Sequence, residues 1–314
     1  MRSVNWLSNS LRTLRRKFKA ALPYVRRREH RLLQQRHAEL IEAVDGIATP
    51  AAAADLHVFK PLAVTLTGEV CLFVSFADQP ELKVHVAEHI THLLAEGIRV
   101  VLVVNTDLPL NSIQLDSELQ DRLSGVLIRQ NLGFDFGAWA HALRLCKDRA
   151  KWTRLYLVND SIVGPLSTLA FTRLIERVRA AGADVLGLTE SLLPRRHLQS
   201  YFLVFSANAL RSSAFTSLFE RLLNWPDKAQ VIELYEARLS ALLEAAGLHC
   251  QALFPSLHTD PLSSDDTSIR WAELVATGFP YLKTRVITRH ARDKRIERWL
   301  AARPGCAPHR ESCS

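Results

Sequence analysis

The run Leu155-Tyr156-Leu157-Val158 ends abruptly in Asn159-Asp160-Ser161, and a Gly164-Pro165 turn follows. Three small oxygen-bearing side chains therefore stand where a buried strand meets solvent. In open sheets wound with helices, ligands bind in the crevice outside the carboxyl ends of the strands. Asp160 is accordingly the first candidate for chemistry. A second group is Arg129-Gln130-Asn131-Leu132-Gly133-Phe134-Asp135-Phe136-Gly137, in which two glycines, a guanidinium and a carboxylate precede an amphipathic helix. Backbone N–H groups and positive charge there can meet a diphosphate at the helix N-terminus, although Asp135 can equally be a helix cap. His197-Leu198-Gln199-Ser200-Tyr201 opens a further strand. Its histidine is as well explained by a structural role as by a catalytic one. The polar loop Pro255 to Ser268 carries Asp260, Asp265 and Asp266, any of which can lend a carboxylate, although solvated turn residues are commoner.

Positioning these groups requires a sheet. Apolar runs at Val70–Phe76, Arg99–Val104, Val126–Ile128, Leu155–Val158 and Asp184–Leu188 read as strands, and Glu81–Leu94, Phe136–Lys147 and Thr168–Ala181 as helices between them. Continuous rather than alternating apolarity means strands buried on both faces, hence a mainly parallel α/β sheet with helices on both faces. Polar residues then collect at the strand ends: Ser75 and Asp78, Asn105 and Thr106, Arg129 and Asn131, then Asn159 to Ser161. Short polar loops end most strands, but four consecutive ends on one edge would build a polar cleft. Downstream, Ser213–Leu223 and Val231–Ala246 read as helices, Leu248–Phe254 as a strand, Ile269–Val275 as a short helix and Arg289–Arg298 as a surface helix.

The formal charge of +8 is unevenly spread. Residues 1–31 carry +9, residues 283–310 carry +7, and residues 32–282 carry −7. Basic ends around an acidic body, without interleaved aromatics, do not suit nucleic acid. Residues 1–45 read as basic amphipathic helices, with Trp6 or Leu7, then Leu11, Leu14, Phe18, Leu22 and Val25 on one stripe. Such a stripe can lie on an anionic membrane surface or pack on protein; the Arg/Lys density favours the membrane. Residues 46–68 read as a linker, with an edge strand possible from Val58 to Leu66; residues 69–290 form the main domain and 291–314 a basic helix and tail. No apolar stretch reaches the roughly 18 residues of a membrane span, and Arg2 is not followed by a signal-peptide core. Five cysteines at unrelated spacings imply reduced thiols and a cytoplasmic setting. Cys306, His309 and Cys313 lack a fourth metal ligand, so a tail is the simpler reading.

Known catalytic loops are missing. No Gly-x-Gly-x-x-Gly follows the first strand, and no Gly-Lys-Ser/Thr phosphate loop or Gly-x-Ser-x-Gly elbow occurs. Dinucleotide oxidoreductases, P-loop NTPases and α/β-type serine hydrolases are thereby disfavoured.

Five blocks taken in order resemble one family. They are the Val70 to Asn105 strand-helix-strand unit, Arg129-x-Asn131-x-Gly133-x-Asp135-Phe136-Gly137-x-Trp139, Leu157-Val158-Asn159-Asp160-Ser161-x-x-Gly164-Pro165, His197-Leu198-Gln199-Ser200-Tyr201-Phe202, and Trp271-x-Glu273-Leu274 with Gly278-Phe279-Pro280-x-x-Lys283. Across residues 70–290 the chain resembles the rhamnan synthesis protein F family of bacterial polysaccharide glycosyltransferases. The resemblance implies a GT-A-like nucleotide-sugar domain that transfers rhamnose or a similar deoxysugar to a growing O-antigen, capsule or other lipid-linked glycan at the inner membrane face. It puts Asn159-Asp160-Ser161 in place of an Asp-x-Asp element, where a carboxylate holds Mg2+ or Mn2+ against the donor diphosphate; Arg129 or Lys283 is the alternative source of positive charge. On this reading Ser75, Asp78 and Asn105 line the nucleotide side, Arg129 and Asn131 the diphosphate, Asp160 the metal or sugar, and His197 with Gln199 the acceptor. His197 or Asp265 would serve as general base. Two rivals from other classes are a non-catalytic sugar or nucleotide module and a scaffold docked through its basic ends.

Overall fold

The computed structural model describes residues 48–147, 149–257 and 266–301. The amphipathic segment 1–45, Asp260, Asp265 and the Cys306-His309-Cys313 tail lie outside the described residues. The described residues centre on a nine-stranded mixed sheet. Its strands are β1 (Leu56–Lys60), β2 (Gly68–Ala77), β3 (Arg99–Thr106), β4 (Gly125–Gln130), β5 (Trp152–Asn159), β6 (Val185–Ser191), β7 (His197–Leu198), β8 (Phe202–Ser206) and β9 (Cys250–Phe254). Across the sheet the order is β9-β6-β8-β5-β2-β3-β4-β1, with β7 paired to β6. Strands β5, β2, β3 and β4 are mutually parallel, as are β6 and β9. Strands β8 and β1 run antiparallel to their neighbours.

Both faces of β2 are buried, which is why its sequence is apolar without alternation. Cys71 and Phe73 pack with Val86, Ile90 and Leu93 of helix α1 (Val84–Ala95) and with Phe171, Leu174, Ile175 and Val178. Helix α2 (Phe134–Leu145) covers the other face, where the fully buried Trp139 donates its indole N–H to the Leu72 carbonyl at 3.1 Å. Helix α3 (Thr168–Ala180), capped by Ser167, completes the first face.

Two sequence expectations change. Within the expected linker 46–68, the described residues from 48 onward are tied into the fold: Thr49–Pro50 pairs with Leu223–Asn224, and β1 forms the sheet edge beside β4. The run Ala51–Ala53 makes this possible, because small side chains let the backbone approach α2 closely. The expected surface helix Arg289–Arg298 is instead two helices, Thr284–Arg289 and Lys294–Ala301. Among the described residues no helix is long and apolar enough to cross a membrane.

The strand registers deliver the predicted polar residues to one rim. Val74 lies opposite Asn159, Phe76 opposite Asn105, and Asn105 opposite Arg129. Near the opposite end of the strands, Glu69 is neutralised by Arg154 at 2.9 Å and Arg179 at 2.7 Å, so the charge there is closed on itself. At the carboxyl rim it is not.

Candidate functional site

Asp160 stands just beyond β5 with its side chain 15% exposed. Its Oδ2 accepts hydrogen bonds from Ser75 Oγ at 3.0 Å, the Phe76 N–H at 3.1 Å and Lys83 Nζ at 2.9 Å. His85 Nε2 donates to the Asp160 carbonyl at 3.3 Å, and burial holds that imidazole below its usual pKa. Asn159, almost fully buried, fixes the neighbouring groups. Its amide donates to Asp135 Oδ2 at 2.7 Å, while its Oδ1 accepts from the N–H and hydroxyl of Ser161 at 3.1 and 2.7 Å. Donors face the amide oxygen and a carboxylate faces the amide nitrogen, so only one orientation of Asn159 satisfies the set.

Asp135 lies in the first turn of α2, but Gly133 is the N-cap and no side chain caps that end. It therefore is not the cap. Although partly exposed, its carboxyl is pushed up to about 7, first by burial and then by the Asp160 charge. Lys228 and the Asn159 bond act in the opposite direction, and Glu236 adds to the rise.

A buried network aims Asp135. Arg129 is fully buried, and its guanidinium donates to the carbonyls of Leu132 at 2.7 Å, Gln130 at 3.0 Å and Ala51 at 3.2 Å, and to Asn224 Oδ1 at 2.7 Å. Asn105 donates to the Phe134 carbonyl at 3.1 Å. These bonds hold Gly133 at φ 69° and Phe134 at φ 52°, a left-handed turn that a non-glycine residue adopts only at a cost. The turn directs the next residue, Asp135, toward Asn159. The expected diphosphate role of Arg129 is corrected accordingly, since its donors are spent inside the protein. Asn105, expected beside the nucleotide, is 1% exposed and is part of the same internal brace. Asn131 is partly exposed and is tied to the Thr106 carbonyl only through its backbone.

On the other flank, Thr189 Oγ1 donates to Gln199 Oε1 at 2.6 Å and makes a very short hydrogen bond with the Tyr201 hydroxyl. The Lys283 ammonium lies 5.2 Å from the Tyr201 ring centroid. It arrives there because Leu282–Lys283 pairs with Ile162–Val163, immediately after Ser161. Glu236, at the end of a π-helical turn, accepts from the Ser200 N–H at 3.2 Å. His197 is buried, with its Nδ1 on the Arg195 carbonyl at 2.8 Å, and no described bond joins it to the Asp160 group. Asp78 is exposed in the loop after β2 and is likewise separate. Asp266 is buried on Ser256 and Leu257.

Three contributors escape the sequence reading: Lys83, His85 and Glu236. Lys83 and His85 follow the same strand end as Ser75 and Asp78, which is the available signal. The helix was expected from Glu81, whereas α1 begins at Val84 and leaves Lys83 outside its first turn. Nothing in the sequence marks the π-helical turn that presents Glu236.

The donor set of the described residues does not fit a resident divalent cation. Among the described residues no three His, Cys, Asp or Glu side chains gather to hold a metal ion. Asp160 offers one uncommitted oxygen, and an ammonium already occupies its cation side. Mg2+ asks for near-octahedral oxygen coordination, which a single carboxylate oxygen does not begin to supply.

Comparison with known proteins adds the family. An uncharacterized protein of Sinorhizobium fredii, y4gN, is 28% identical over 169 residues, covering 52% of this chain and 43% of that protein. The virulence protein VirA of Vibrio anguillarum is 30% identical over 161 residues, covering 50% and 49%. The chain thus spans about half the length of the curated relatives it matches. The profile of rhamnan synthesis protein F matches residues 100–302, well over half of the sequence and containing Arg129, Asp135, Asn159, Asp160, His197 and Lys283. The chain belongs to the rhamnan synthesis protein F family.

Proposed function

We propose that this chain is a glycosyltransferase with a GT-A-like donor domain. It moves a sugar, rhamnose or a similar deoxysugar, from a nucleotide-sugar to a growing cell-surface polysaccharide such as O-antigen or capsule. Membership of the rhamnan synthesis protein F family supports a role in polysaccharide biosynthesis. The observation that carries the enzymatic reading is the rim itself: in a family member, parallel strands bring two adjoining hydrogen-bonded groups to one edge, Ser75 and Lys83 on Asp160 and Asn159 on Asp135. A ligand of a parallel sheet belongs at that edge.

In the reaction a hydroxyl oxygen of the acceptor forms a bond to the anomeric carbon while the bond from that carbon to the diphosphate breaks. The electron pair leaves with the nucleoside diphosphate, and the acceptor proton passes to a base, for which His197 and Asp265 are the proposed candidates. Asp160, through the oxygen not engaged by Ser75 and Lys83, orients hydroxyls of the donor sugar. Asp135 and Asn159 floor the same pocket, and Gln199, Tyr201 and Lys283 face the acceptor. A lipid-linked glycan acceptor at the cytoplasmic face of the inner membrane, met through the basic amphipathic segment 1–45, completes the proposal.

Thermal unfolding of the full chain with UDP-, dTDP- and GDP-sugars tests it. A donor at about 100 times its Kd stabilises the native state by ~2.7 kcal/mol. At an unfolding entropy of ~0.5 kcal/mol/K for ~250 residues that is a rise of ~5 °C. A melting temperature unmoved by all three sugar-nucleotide classes refutes the proposal.

A further inference from the structure

The cation side of Asp160 is occupied by the protein itself. Lys83 stands at the N-cap position of α1, with its ammonium 2.9 Å from Asp160 Oδ2 and 5.8 Å from the centre of the Phe76 ring. The same Oδ2 accepts from Ser75 and from the Phe76 N–H, so the carboxylate cannot swing away without stranding both donors. Lys83 keeps 36% of its side-chain surface in solvent, on the rim where the strand ends open. An ammonium has three N–H bonds, and Asp160 takes one. Two remain for a ligand. The arrangement is a positive charge fixed from behind by an anion and open in front.

Three observations argue against a divalent cation sharing this position. A metal at Asp160 would lie beside the ammonium or displace it, and the displaced lysine would leave Asp160 without its ion pair. The second carboxyl of the rim, Asp135, already has its Oδ2 engaged by the Asn159 amide. Among the described residues no third His, Cys, Asp or Glu completes a ligand set.

We infer that Lys83, anchored by Asp160, neutralises the diphosphate of the sugar donor, so that the enzyme works without a divalent metal. The inference rests on the nucleotide-sugar reading and identifies the group that meets its leaving charge. As the bond between the anomeric carbon and the diphosphate oxygen breaks, the electron pair settles on the diphosphate, and the two free N–H bonds of Lys83 are there to receive it. Asp160 then acts on the leaving group through Lys83 and on the sugar directly.

Calorimetric titration of the full-length chain with UDP, dTDP and GDP decides the matter, first with EDTA present and then with Mn2+ in excess. At least one diphosphate binds the wild type with EDTA, and Mn2+ changes that affinity by less than threefold. Lys83→Met weakens the same diphosphate roughly ten- to hundredfold, the worth of one hydrogen bond to a charged group. Lys83→Arg, which keeps the charge, stays within about threefold. The unliganded melting curve of each variant shows that it is folded. Affinity that appears only with Mn2+ overturns the inference and leaves the nucleotide-sugar reading standing, as does a Lys83→Met variant that binds like wild type. Absence of binding under both conditions removes the nucleotide-sugar reading and this inference together.

Discussion

Arg129→Met separates a structural arginine from a ligand-binding one. The substitution keeps most of the apolar stem and deletes the guanidinium. In the wild type that group satisfies the Leu132, Gln130 and Ala51 carbonyls and Asn224 Oδ1, with longer contacts to His141 at 3.3 Å and Asn105 at 3.4 Å. Burial draws its pKa down to about 10, so it is charged at neutral pH, and no described carboxylate pairs with it. Its charge is dispersed over carbonyl dipoles. Removing it strands four close acceptors in a site with no water access through Arg129 itself. Each stranded acceptor costs ~1 kcal/mol or more, and breaking a buried charged network typically costs ~3–5 kcal/mol in all. With an unfolding entropy of ~0.5 kcal/mol/K for ~250 residues, the melting temperature falls by roughly 6–10 °C. Arg129→Lys recovers the charge but not the fork geometry, and so recovers only part of the loss. Differential scanning calorimetry gives the first quantity and nucleoside-diphosphate titration the second. An Arg129→Met protein that melts within about 2 °C of wild type yet no longer binds nucleotide would show that the guanidinium faces ligand after all, and the brace argument would fall.

Other perturbations follow from the same geometry. Asp135 ionises at about 7 in the folded chain against 3.8 for the unperturbed carboxyl. Below pH ~4 both states hold the proton; between ~4 and ~7 the unfolded chain releases it first, so this group lowers wild-type stability as pH rises and levels off above 7. Discounted for partial exposure the effect is about 2 kcal/mol. Asp135→Asn should therefore gain on wild type progressively from pH 4 to 7 in urea melts, and a gap independent of pH would contradict the assignment. Gly137→Ala places a Cβ 2.5 Å from Asn224 Oδ1 and 2.7 Å from the Leu132 carbonyl. Helical propensity alone would favour alanine by ~1 kcal/mol. The clash should reverse that to a loss of about 1–3 kcal/mol in chemical denaturation, whereas Gly182→Ala, with open space around its Cβ, stays within ~0.5 kcal/mol. A neutral or stabilised Gly137→Ala would show that α2 and Asn224 do not press together as described.

What the sequence discloses depends on whether the cause is local. Cys71 to Val74 announce a central strand because both faces of β2 are covered, and unbroken apolarity is the direct consequence. Asn159-Asp160-Ser161 announces a rim because polarity begins within one residue of the strand's end. Direction of pairing is another matter: Phe202–Phe205 is as apolar as a parallel strand, yet β8 lies antiparallel between β5 and β6. Ten residues join Ser191 to Phe202, too few for a helical crossover, so spacing rather than hydropathy held that information. Two cations, Arg129 and Lys83, show the same division more sharply. Arg129 sits beside two glycines ahead of a helix, the pattern of an anion site, but its acceptors come from Ala51, Leu132 and Asn224, two of them remote in sequence and invisible to any window around it. Lys83 sits in no motif and reaches the rim because α1 starts one residue later. Which cation faces a ligand is decided by how many acceptors the fold brings within reach of each. For Arg129 that number exhausts the guanidinium, and for Lys83 it leaves two donors over.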